Sequence, residues 1–142
     1  MPDVALLRRD LLRAIEAARR EAAEHRAERE AARRAYDTFL TEQAIPVFRA
    51  FASALKAEGL PFEVMTPQGG VRLVPDRHRE DVLELALDVE ADRPQVVIRT
   101  TRGRGSRTLQ TEQPLRPGIA LDALTEDDVV QALMTALVPW LA

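Results

Sequence analysis

At 142 residues, with 46% hydrophobic and 4% aromatic content, the chain has the length of one domain and a core that must be built mostly from Leu, Val, Ile and Ala. A formal charge of −3 gives the whole chain no pull toward a polyanion, and the absence of cysteine excludes disulfides, thiolate metal sites and cysteine nucleophiles. The charged opening Met1–Asp10 does not read as a signal peptide, and no apolar run reaches the length of a membrane span. A cytoplasmic protein with no membrane partner is expected.

Residues 1–58 contain no glycine and hold 15 of the chain's 22 alanines. Within them an apolar stripe runs through Val4, Leu7, Leu11, Ile15, Ala18, Ala22, His25, Ala32, Tyr36 and Phe39, interrupted at Arg29. Spacings of three, four and seven fit only a helix. The stripe starts bulky, thins to alanine and becomes aromatic again. Each alanine buries little, about 0.5 kcal/mol or less, so the middle is weak glue. Opposite charges at Glu16–Arg20, Arg20–Glu24, Arg26–Glu30 and Glu30–Arg34 suit a solvated flank. Eleven basic residues are matched by ten acids across 1–58, which makes the arm a docking element rather than a nucleic-acid handle.

Pro46 cannot donate to a helical ladder, so the helix is expected to end, restart or kink near Gln43–Ile45. Beyond it Val47, Phe48, Phe51 and Leu55 form a broad apolar face that should pack on the body, and Gly59 suits the position just past a helix end.

After Gly59 the period becomes two. Phe62, Val64 and Thr66 alternate, Pro67–Gly70 is turn chemistry, and Val71, Leu73 and Pro75 resume the alternation. Leu83, Leu85, Leu87 and Val89 make the clearest strand, with Glu84, Ala86, Asp88 and Glu90 on its other face. A turn centred on Asp92–Arg93 leads to a strand at Val96–Ile98 and would set Arg99 opposite Ala86, diagonal to Glu84 and Asp88. Gly103-Arg104-Gly105 should turn the chain into Arg107–Gln113. Thr125 with Glu126, Asp127 and Asp128 starts a last helix, uncharged from Val129 onward and too short to span a membrane. That helix is expected to be covered on nearly all sides.

Candidate chemistry is sparse. His25 and His78 share no ligand spacing, Ser53 and Ser106 stand in no nucleophile context, and the acidic strand face is expected to pair with basic neighbours rather than to hold a metal. No catalytic, cofactor-binding or metal-binding residue is assigned. Between Arg93 and Arg107 there is no acid, and Arg99, Arg102, Arg104 and Arg107 form a glycine-flexed basic hairpin that could follow a phosphate backbone.

The fold class expected is α+β: an arm over 1–58 that is a long, interrupted, coiled-coil-like helix, then a body over 59–142 with a five-stranded antiparallel meander and a C-terminal helix packed on the sheet. The order helix, meander, helix is similar in outline to small bacterial nucleoid-associated dimers of the YbaB kind, a likeness of architecture that transfers no residue. The function expected is that of a non-enzymatic interaction or scaffold protein acting as a homo-oligomer, most simply a dimer. Its interface would use Leu7, Leu11, Ile15, Ala18, Ala22 and His25 of the arm with Val130, Met134, Leu137 and Trp140 of the last helix. The alternative is an oligomer that binds nucleic acid or another polyanion through the arginine hairpin. No cofactor is expected.

Overall fold

The computed structural model describes residues 2–91 and 93–141. Helix α1 spans Val4–Phe39, about 54 Å at 1.5 Å per residue. It is capped at its start by Asp3, whose Oδ1 accepts the Ala5 amide at 2.9 Å. The break expected at Pro46 takes the form of a π turn over Leu40–Ala44, after which α2 continues over Ile45–Ala57 without leaving helical backbone. There the Ile45 amide reaches back to the Leu40 carbonyl, five residues earlier. The wider turn makes room for the pyrrolidine ring, which would otherwise crowd the preceding turn and leaves one carbonyl without a donor. Helix α2 then closes on Gly59 at φ +78, with Leu60 N–H on Leu55 O at 2.8 Å and Gly59 N–H on Lys56 O at 3.0 Å. That left-handed residue with its paired bonds satisfies the last carbonyls and throws the chain toward the sheet.

Among the described residues the sheet has five strands, β1 (Phe62–Met65), β2 (Gly70–Pro75), β3 (Val82–Asp88), β4 (Gln95–Arg104) and β5 (Arg107–Pro114), in the order β1-β2-β3-β4-β5 and antiparallel throughout. Two turns differ from expectation. Gly103 and Arg104 lie within β4, and the tight turn is Gly105-Ser106, closed by Arg104 opposite Arg107. Gly105 takes φ +62, the mirror-image geometry that matches strand twist, which Gly103 is not needed for. The β3–β4 pairing sets Arg99 opposite Glu84 and Val97 opposite Ala86, two residues from the register expected. Asp92, placed at that turn by the sequence, lies outside the described residues.

The core lies on one face of the sheet. Val71, Leu73, Leu83, Leu85, Val96 and Ile98 point from the strands toward Tyr36, Phe39, Phe48 and Leu55 of the long helix, and toward Val129, Leu133 and Leu137 of α3 (Glu126–Leu137). Helix α3 begins with a capping box in which Asp128 Oδ2 accepts the Thr125 amide at 2.9 Å. The core therefore takes in the end of α1 as well as α2, and the boundary between arm and body falls ahead of Tyr36. Helix α3 is less covered than its sequence implies: Val129, Leu133 and Leu137 are buried, whereas Gln131, Met134 and Thr135 are exposed.

Candidate functional site

Every residue from Val4 to Ala31 is exposed. This stretch projects about 40 Å. Leu7, Leu11 and Ile15 keep 56%, 57% and 37% of their surface in water, and Leu6 and Leu12, which the single stripe left out, are as open as Leu7. Ala18, Ala22 and His25 continue the same line and are exposed too. At its far end the line changes character. Tyr36 and Phe39 belong to the same stripe and are buried in the chain's own core, Tyr36 donating its hydroxyl to Gly69 O at 2.8 Å. Burial, aided by the charges of Glu84 and Asp37, pushes the Tyr36 phenol well above its ordinary range.

One helix face thus does two jobs. From Tyr36 onward it holds the sheet, and from Val4 to Ala22 the same face is left exposed among the described residues. Between them His25, Glu28 and Arg29 stand over Val89, Glu90, Ala91 and Pro94, across a cleft of about 270 Å³. His25 Nε2 lies 3.8 Å from Glu21 Oε1, and at that exposed position the contact contributes little.

The four C-terminal candidates separate. Met134 is exposed and Val130 half-buried, while Leu137 belongs to the chain's own core. Trp140 is occupied as well: it stacks on Phe62 with centroids 6.5 Å apart, and the Arg102 guanidinium sits 5.1 Å from its ring centroid. The apolar residues that α3 and the following turn leave in water are Met134, Val138 and Leu141.

The four arginines expected to act as one basic hairpin divide as well. On the sheet face turned away from the helices, Arg72, Glu84, Arg99 and Glu112 stand opposite one another on four successive strands and form a row of alternating charge. Arg72 bonds Glu84 through Nε, Arg99 Nη1 lies 3.7 Å from Glu84 Oε1, and Arg99 Nε donates to Glu112 Oε2 at 2.6 Å. The bond to Glu112 holds the Arg99 guanidinium above its ordinary value. Of the acidic strand face, Glu84 pairs with basic neighbours, whereas Asp88 Oδ1 accepts the Glu90 amide at 2.9 Å; Glu112 on β5 was missed, since it becomes relevant only once β5 is known to lie beside β4. Arg102 points to the opposite face and stacks on Trp140, its Nε buried without a partner. Arg104 and Arg107 remain at the tip, exposed, with Arg104 Nη1 on Gly103 O at 2.8 Å.

The hairpin is tied to the body by the last residue of the charged run 76–81. Asp81, buried, accepts the Gly103 amide through Oδ1 at 2.8 Å. Between α3 and the β4–β5 ribbon lies an open groove of about 630 Å³, lined by Ile98, Thr100, Thr111, Gln113, Gln131 and Thr135, with Arg102 and Trp140 at one end. Its lining is mostly apolar, with Leu115, Ala132, Ala136 and three prolines beside those hydroxyls and amides and one stacked guanidinium. Among the described residues no group of three or more His, Asp or Glu is placed to hold a metal, and no helix is long and apolar enough to cross a membrane.

No family model, curated protein or solved structure matches the chain.

Proposed function

We propose that this chain is a non-enzymatic interaction protein of the cytoplasm that assembles with a second copy of itself through its N-terminal arm. One observation carries the reading: the stripe of α1 that Tyr36 and Phe39 bury in the core runs on, exposed, through Ile15, Leu11 and Leu7. Helices in proteins draw most of their stability from packing an apolar face, and the face from Val4 to Ala22 is left exposed. Exposed leucines repeated on one helix face mark an interaction surface.

The alternative, a polyanion contact through the hairpin, has fewer groups behind it, because Arg99 is engaged by Glu84 and Glu112 and Arg102 by Trp140.

Replacing Leu7 and Leu11 together by Glu tests the reading. Sedimentation equilibrium should show the wild type as a dimer and the variant as a monomer whose sheet melts as before. A variant that keeps the wild-type mass would place the interface elsewhere.

A further inference from the structure

The arm's stripe has a limited free length, and that limit decides how a second arm can lie on it. At Tyr36 and Phe39 the stripe faces the chain's own sheet, and at His25 and Arg29 it already overhangs Val89–Ala91 and Pro94. A second arm running parallel and in register would have to carry its own His25–Phe39 through space that the first chain's β3–β4 turn and sheet occupy. Only Val4–Ala22 is open on this side, about 28 Å of helix.

We propose that the occupant of this stripe is the arm of a second copy running antiparallel, centred near Arg13, with Val4 of one chain beside Ala22 of the other and the two bodies at opposite ends of the pair. This rests on the reading of the arm as the assembly element and specifies its geometry. The taper of the stripe supports it. The free stripe is thick at Val4, Leu7, Leu11 and Ile15 and thin at Ala18 and Ala22, so reversal sets Val4 and Leu7 over alanine with Leu11 against Ile15 at the centre, where a parallel pair would set alanine on alanine over its last turns. Continuity with the core supplies the rest, since the seam extends a packed face that the fold already uses at Tyr36.

The absence of cysteine makes the test direct, because the introduced thiols are the only ones in each variant. Val4→Cys, Ala22→Cys and the double variant, each in the full chain, are oxidised gently and resolved without reductant, with masses of the unoxidised proteins measured by light scattering. The antiparallel pair predicts dimers in all three, and at least about tenfold more covalent dimer from the double variant than from either single one, because a disulfide needs Cα atoms within about 7 Å. Dimers in which each single variant cross-links to itself would overturn the antiparallel geometry while leaving arm-mediated assembly standing. Monomers, or assemblies larger than two, would overturn both.

Discussion

Tyr36 and Gly69, 33 residues apart in the chain, meet where the phenol hydroxyl donates to the glycine carbonyl at 2.8 Å. That bond ties the root of the arm to the β1–β2 turn, and the same hydroxyl lies 3.5 Å from Leu85 O in the middle of the sheet. It is the point at which an exposed helix becomes part of a packed core. Gly69 sits there at φ +79, a conformation that glycine adopts without strain.

Removing the hydroxyl should therefore loosen the joint without opening a cavity. Tyr36→Phe keeps the ring and is expected to lower stability by about 1 kcal/mol, the usual net value of one such bond, in urea unfolding followed by circular dichroism. A loss several times larger would mean that the bond organises more than the joint.

The same phenol sets an alkaline limit. Its value in the fold is raised above the ordinary 10.0, first by burial, so the neutral form is favoured in the folded state. The stabilisation is complete below about pH 10 and is lost as pH climbs beyond it, because the unfolded chain then releases a proton that the folded chain retains. As pH climbs above about 10 the wild type should lose stability faster than Tyr36→Phe. Since the chain has one tyrosine, tyrosinate absorbance reports the group directly. Equal slopes for the two proteins would contradict the placement of the ring.

The alternating row on the outer sheet face should be worth little per pair and should act as a network. Arg99 and Glu112 are each about two-fifths exposed, so a double-mutant cycle with Arg99→Ala and Glu112→Ala is expected to give a coupling of about 0.2–1 kcal/mol that shrinks in high salt. Glu84 is the most covered member, at 16%. Removing Arg99 and Arg72 together should accordingly cost more than the sum of the single changes, because it leaves that carboxylate with no partner.

Core and arm should respond oppositely to truncation. Leu85 is fully buried between the helices and the sheet, and Leu85→Ala is expected to cost about 2–5 kcal/mol in unfolding of the body. Leu11→Ala should leave the unfolding of the body unchanged, because Leu11 is exposed on the arm, and should raise the concentration needed to form the dimer. Equal destabilisation of the body by both changes would show that the arm folds back on its own chain.

These contrasts also mark how far the sequence could be read. The period of the stripe from Val4 to Phe39, the glycine after α2, the alternation of Leu83 to Leu87 and the acids behind Thr125 each report a local preference, and each gave its element. Form was harder than position at Pro46: local sequence says that the ladder cannot continue unchanged, but a π turn and a true end satisfy that equally, and the packing of Phe48 on the sheet decides between them. The arginines divided for a related reason. Alternation places Arg99 and Arg102 on opposite faces of β4, yet their partners, Glu112 and Trp140, are brought there by the β4–β5 register and by the turn after α3. Asp81 was invisible as an anchor because a charged run such as 76–81 is usually solvated, and only the approach of Gly103 gives its carboxylate a donor.

The central claim is that the exposed arm pairs with a second copy. The mass of the full chain in dilute solution, measured by light scattering at micromolar concentration, tests it most directly: the account predicts twice the 15.9 kDa of one chain, and a single species at 15.9 kDa would contradict it.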